Sequence, residues 1–161
     1  IRMEGSKKSI EERKNDLFQE LELKKKKFSE LDFYQSVLFW KKINNLELFN
    51  SSKNSIIRIV IPPSKCLELI NFFDDDFKYF IEWCGSLIWA EVCNLSDDKL
   101  SNIRKFVVER GGYLTLIKQT SNQLLNEIFT YTNTRLHISK KIKESFDPKR
   151  ILNPEKMYIG V

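Results

Sequence analysis

Histidine is nearly absent from this 161-residue sequence, with one copy at His137, and cysteine is scarce, at positions 66, 84 and 93. A lone histidine, with no HExxH, CxxC, Gly-x-Ser-x-Gly or Walker-type loop, excludes the usual zinc sites, serine hydrolases and P-loop nucleotidases. His137 itself reads as a surface residue of a basic helix. The odd cysteine number gives no disulfide framework, so Cys66, Cys84 and Cys93 are expected as buried, reduced thiols in a cytoplasmic setting. Five glycines and four prolines are too few for collagen-like or linker-rich chains. Long apolar runs are missing as well, and none approaches the ~20 residues of a membrane-spanning helix. The first residue is Ile1 rather than Met, so the sequence is expected to be a piece of something longer.

What is present is the balance of a folded domain. Hydrophobic residues make up 42% and charged residues 30%, enough apolar surface to bury a core without disulfides. The net charge of +5 comes from 20 lysines and only seven arginines, a bias that an AT-rich genome also produces. The run Lys24 to Lys27 has no interleaved arginine or aromatic residue, so it reads as a solvated strand edge or helix end. No nucleic-acid partner is expected.

Along the chain, Ile1 to Glu4 reads as the end of a strand, broken at Gly5-Ser6. Ser6 caps a helix whose Ile10, Leu17, Phe18 and Leu21 recur at helical spacing, and Leu23 to Phe28 reads as a short charged strand. Asp32 caps a second helix through Ile43, and the Asn50–Asn54 cluster is the internal boundary. Ser55 to Ile61 then forms a β-branched strand closed by Pro62-Pro63, and Ser64 caps a helix through Phe73. Phe77 to Trp83 and Leu87 to Cys93 form a hairpin around Cys84-Gly85-Ser86. Ser96 caps a helix from Asp97 to Arg110, stopped by Gly111-Gly112, and Tyr113 to Ile117 is a final strand.

This order is βαββαβ. It predicts an α+β chain with a ferredoxin-like antiparallel sheet over residues 55–118, two helices covering one face. An N-terminal βα(β) unit over 1–50 and C-terminal helices and tail over 122–161 extend it. The helices are expected near Asn122 to Thr130 and Arg135 to Phe146, and the tail Ile151 to Pro154 as extended chain. Strand alternation puts Ile57, Ile59, Ile61, Ile88, Ala90, Val92, Leu114 and Leu116 on the helix side. The other face then carries Arg58, Trp89, Glu91, Tyr113 and Thr115, too aromatic for plain solvent and too polar for core. An arginine there can hold a carboxylate in bidentate fashion. An Arg58–Glu91 cross-strand ion pair on an ordinary solvated face is the alternative.

The tail from Ser145 to Met157, Ser-Phe-Asp-Pro-Lys-Arg-Ile-Leu-Asn-Pro-Glu-Lys-Met, resembles the C-terminal "FDP-x-G-I-L-N-P-G-K-M" segment of FAD-linked oxidases of the vanillyl-alcohol-oxidase type. Arg150 and Glu155 stand where that pattern has glycine. Upstream, Phe39-Trp40, Arg58-Ile59-Val60-Ile61-Pro62-Pro63, and Glu82-Trp83-Cys84-Gly85 with Trp89 are similar to segments of bacterial glycolate oxidase E subunits. Those read "FW", "R-x-S-V-P-P" and "DWGGxxRW", and the opening Arg2-Met3-Glu4-Gly5-Ser6 is similar to their "R-x-E-G-S" strand-turn.

The resemblance spans the chain in order and implies a single C-terminal cap domain over 1–161. Its sheet would roof an FAD held mainly by a domain without a counterpart in these residues, supplied in cis or in trans. It further implies that Arg58, Trp89 and Tyr113 look toward the substrate side and that Asn153 lies near the cofactor. The implied function is a share in FAD-dependent oxidation of 2-hydroxy acids such as glycolate or D-lactate. The implied partners are the flavoprotein and iron–sulfur subunits of a glycolate oxidase complex, in the cytoplasm or peripheral at the inner membrane. No catalytic residue and no metal site is expected in the chain alone. The alternative function is a non-catalytic ferredoxin-like protein-interaction module.

Overall fold

Isoleucine and valine stiffen the stretch Ser55–Val60, and it becomes β1, a central strand whose Ile57 and Ile59 are fully buried. The computed structural model describes residues 1–21, 29–49, 53–119 and 128–154. The chain divides into two compact units, residues 1–50 and 51–161.

In the first unit, α1 (Lys7–Glu20) is capped by Ser6, whose hydroxyl accepts from the Ser9 backbone N–H. Helix α2 (Phe33–Asn44) starts with a reciprocal capping box: Asp32 accepts from Gln35 N–H at 2.8 Å, and the Gln35 side chain accepts from Asp32 N–H at 3.1 Å. Residues 1–4 form no strand. Glu4 instead pairs with Arg2, and its carbonyl accepts from Arg13 of α1. A four-residue segment becomes a strand only where a partner edge meets it, and here the Glu4 carbonyl is taken by the Arg13 side chain of α1.

The second unit contains a four-stranded sheet in the order β2-β3-β1-β4, every pair antiparallel, from β1, β2 (Phe77–Glu82), β3 (Leu87–Val92) and β4 (Tyr113–Lys118). With α3 (Cys66–Phe72) between β1 and β2 and α4 (Asp97–Glu109) between β3 and β4, this is the expected α+β split-βαβ arrangement. The core gathers Ile57, Ile59, Ile88, Ala90, Val92 and Leu114 from the strands with Leu69, Leu100, Ile103 and Val107 from the helices.

Ser96 caps α4 by accepting from Lys99 N–H, and Asp97 and Asp98 occupy its first turn, where the helix dipole favours negative charge. Lys99 reaches back to Asp74 and Asp76, at 3.0 and 2.8 Å, and over the Phe77 ring, tying α4 to the start of β2. Ser64 caps nothing: a tight turn over Pro63–Lys65 precedes α3 and leaves the hydroxyl without a helix end to serve. Gly112 is needed because a Cβ there would lie 2.5 Å from the Val60 carbonyl and 2.8 Å from Val107.

Four further expectations change. Residues 128–130 are not helical; Phe129 bridges Thr115, and Thr130 N–H donates to the Leu114 carbonyl, adding a short stretch to the outer edge of β4. Backbone groups used for that ladder are unavailable for helical i−4 bonds. Helix α5 (Asn133–Phe146) follows, capped by Thr132. The tail is a turn rather than extended chain, because the Asp147 carboxylate accepts from Ile151 and Leu152 N–H at 3.0 and 2.9 Å. Cys84 is exposed, whereas Cys66 is buried, which pushes its thiol pKa up, and Cys93 is half-buried; all three are free. Leu23 to Phe28, the Lys24–Lys27 run and the expected helix over 122–127 lie outside the described residues.

Candidate functional site

The face of the sheet opposite α3 and α4 is built by strand register. Arg58 on β1 stands directly across from Trp89 on β3 and Thr115 on β4, and Trp89 stands across from Phe80 on β2. The Phe80 and Trp89 rings stack with centroids 6.5 Å apart. Glu91 lies two residues along β3, opposite Ile56 and Lys78. The directly cross-strand neighbours of Arg58 are Trp89 and Thr115 rather than Glu91, and the guanidinium carbon lies 5.8 Å from the Trp89 ring centre and 5.5 Å from that of Trp83. Ile56, Leu87, Glu91 and Thr115 are buried on this same face, so it is half-covered rather than freely solvated.

Trp83 owes its position to the β2–β3 turn. Strand β2 stops at Glu82, and Trp83, Cys84 and Gly85 all have positive φ, at 50°, 51° and 97°. Two of the three are not glycine, and each such residue costs on the order of 1–3 kcal/mol unless its surroundings hold it. The turn sets the Trp83 indole beside the Arg58 guanidinium. Glu82, the last residue of β2, accepts a hydrogen bond from Trp89 Nε1–H at 3.0 Å through Oε2. Arg58 and Glu82 thus meet the same indole without pairing with each other.

Of the four residues expected at a site, Arg58 and Trp89 come together. Tyr113 sits on the same face one step along, opposite Val60, with its ring 5.9 Å from the Arg135 guanidinium of α5. Asn153 lies in the tail turn at φ 44°, and among the described residues no hydrogen bond, ion pair or ring contact joins it to the sheet group. Trp83 and Glu82 also belong to the group: Glu82 shares the face of Phe80, which stands two residues before it on β2, whereas Trp83 lies past the strand end, where alternation does not reach. The signal available was their place in Glu82-Trp83-Cys84-Gly85, an aromatic and an acid entering a glycine turn at the end of β2.

The tail has a local centre of its own. Asp147 is buried beneath its turn, where Lys143 Nζ meets Oδ2 at 2.7 Å and the same ammonium donates to the Leu152 carbonyl. The Lys143 hydrogen bond, then the Ile151 and Leu152 N–H groups, hold the Asp147 carboxyl at about 2, below its ordinary 3.8. Arg150 is left-handed at φ 51° in this turn, and its N–H donates to the Asp147 carbonyl.

Elsewhere, a cleft of about 670 Å³ in the first unit is lined by Ile10, Leu17, Val37 and Trp40, with the Lys14–Glu30 pair at 2.7 Å also on its wall. Among the described residues no group of His, Cys, Asp and Glu is placed to hold a metal ion, and no helix is long and apolar enough to cross a membrane. His137 is an exposed residue of α5. The chain matches no family model, no curated protein and no solved structure.

Proposed function

We propose that this chain is the cap, or substrate-side, domain of an FAD-dependent 2-hydroxy-acid oxidoreductase related to glycolate oxidase E subunits. One observation carries the reading. At two places where the resembled segments have glycine and this sequence does not, Cys84 in "DWGG" and Arg150 in "FDP-x-G", the backbone is left-handed at φ 51°. Non-glycine residues rarely adopt this conformation. Finding it at both aligned positions supports a shared backbone shape beneath the changed side chains.

The residues present fit a role beside a cofactor held elsewhere. The face with Phe80, Trp83 and Trp89 offers flat aromatic surface suited to roofing a ring system. When bound, the flavin supplies the acceptor for the hydride leaving the hydroxy acid. This chain's own part is to orient: Arg58 engages a carboxylate, Trp89 and Tyr113 wall the substrate side, and the aromatic face excludes water. Asn153 would approach the cofactor through the tail turn that Asp147 holds. The cofactor domain is supplied in cis or in trans, with flavoprotein and iron–sulfur subunits as the proposed partners.

The test is deletion and recovery in the native cells. Purification of the tagged native protein is expected to bring FAD in proportion, and deletion to abolish glycolate- or D-lactate-dependent dye reduction. Tight stoichiometric FAD binding by residues 1–161 alone, or undiminished oxidation in the deletion strain, would refute it. The half-covered aromatic face also favours a second reading, a protein-interaction module. Arg58→Ala separates them: lost turnover with assembly intact supports the cap, and lost assembly without any oxidase activity to lose supports the module.

A further inference from the structure

We propose that the outer rim of β2 pairs with β2 of a second copy of this chain, antiparallel about a two-fold axis at Phe80, so that two four-stranded sheets become one. The proposal goes beyond the cap reading and does not depend on it, since it uses the rim of the sheet rather than its aromatic face.

The geometry follows from the ladder. Cys93 N–H donates to the Asp76 carbonyl, so the hydrogen-bonded pairs that follow in register are Lys78–Glu91, Phe80–Trp89 and Glu82–Leu87. The backbone groups of Tyr79 and Ile81 therefore point away from β3, and among the described residues no strand meets them. Rims of this kind are usually blunted by proline, a bulge or a covering element. Strand β2 has no proline and keeps an unbroken register with β3 from Phe77 to Glu82. Its side chains are accessible too: Tyr79 and Ile81 are 40% and 43% exposed, and Lys78 is exposed on the opposite face.

The two charges of the strand select the occupant. Lys78 and Glu82 lie two residues either side of Phe80, on its face of the sheet. A wholly apolar strand laid alongside would set both charges against apolar side chains. A second copy centred on Phe80 instead places Lys78 opposite the partner's Glu82, and Glu82 opposite the partner's Lys78. These are non-hydrogen-bonded pairs, with Cα atoms about 4.5 Å apart and side chains at their closest. Tyr79 then exchanges backbone hydrogen bonds with the partner's Ile81, and Ile81 with the partner's Tyr79. Each such pair sets an aromatic ring against a β-branched side chain. Centred on Tyr79, the pairing would bring Glu82 against the partner's Asp76, a like charge. Centred on Ile81, it would bring Lys78 against the partner's Cys84, beyond the strand end. The Phe80 register satisfies both charges.

The experiment is sedimentation equilibrium on the full 161-residue chain, with amide hydrogen exchange as the map. A contact of this size is transient, so the mean mass should climb from that of one chain toward that of two between about 10 μM and 1 mM. Over the same range the Tyr79 and Ile81 amides should gain protection by about tenfold, while those of Lys78, Phe80 and Glu82, already bonded to β3, change little. Lys78→Glu and Glu82→Lys each create two like-charge contacts and should weaken self-association about tenfold or more. Mixed in equal amounts, the two variants recreate both opposite-charge contacts, and association should return. That recovery requires both variants to be folded, which separates a broken contact from a lost fold. Ile81→Pro removes an outward N–H without touching the β3 ladder and should also leave monomer. A native chain that stays monomeric at about 1 mM overturns the pairing and leaves the rim to a strand of another protein. A dimer that survives both charge reversals and Ile81→Pro, one that leaves Tyr79 and Ile81 exchange unchanged, or folded variants that fail to associate on mixing also overturn it.

Discussion

The two faces of one sheet are made by alternate residues of the same four strands, yet they solve opposite problems. On the helix side, Ile57, Ile59, Ile88, Ala90 and Leu114 are wholly buried and carry no polar side-chain atom. Nothing there needs a partner, and close packing is the only requirement. On the other side, buried Ile56 and Leu87 stand beside polar groups: among the described residues Arg58 meets rings but no acceptor, and Glu82 accepts through one oxygen. The difference teaches that an all-apolar packing surface and a mixed aromatic-polar one are separated in this domain by a shift of one residue along each strand.

If that difference holds, substitutions on the helix side should cost far more folding energy than substitutions of the half-exposed Arg58 or Glu82. Ile59→Ala is expected to lose about 2–5 kcal/mol by leaving a cavity at a fully buried position, read by chemical denaturation. A smaller cost, about 1–3 kcal/mol, is expected for Gly112→Ala, whose new methyl would press on the Val60 carbonyl and Val107. A cost below half a kcal/mol for either would break the comparison.

The tail turn gives a pH-dependent check remote from both faces. The folded-state pKa of Asp147 is depressed, so its contribution is complete above its ordinary 3.8 and is lost as pH falls through about 2. The Ile151 and Leu152 amide signals should therefore move together over that window. Asp147→Asn should remove the transition and loosen the turn without altering strand signals. Signals that titrate near pH 4 instead would show that the Lys143 contact is not made in solution.

The smallest expected effect runs against habit. Arg150→Gly should stabilise by about 0.5–1 kcal/mol, because relief of a left-handed non-glycine residue, about 1–2 kcal/mol, exceeds the added flexibility of the unfolded chain. A loss of stability would mean that the Arg150 side chain contributes more than its backbone costs.

Much of this architecture was legible because it rests on local chemistry. The βαββαβ order followed from alternation in Ser55 to Ile61 and Leu87 to Cys93 and from the Ser96 cap of α4, and the first-unit helix α2 from the Asp32 cap, all acting within four residues. What stayed hidden depended on partners far along the chain. Thr130 pairs with Leu114 across 16 residues, so no period within 128–130 could announce it. The rule that a residue before proline is extended failed at Asn153, where φ is 44° in the turn held by Asp147, and asparagine tolerates that region better than most. At the site, Arg58 and Trp89 were readable from strand parity alone. Trp83 was not, since its approach to Arg58 depends on three consecutive residues at positive φ, two of which carry side chains that disfavour it.

The short pairing of residues 128–130 with β4 also has a consequence for growth of the sheet. Exposed strand margins are where foreign chains add themselves. Here the β4 margin is occupied by the chain's own Phe129 and Thr130, while among the described residues β2 has no outer neighbour. Among the described residues the sheet is therefore one-ended: lateral addition to β4 must first displace the native stretch, whereas addition to β2 need displace none of the described strands. Any neighbour that continues the ladder registers against Phe77–Glu82, beside the acid that anchors Trp89.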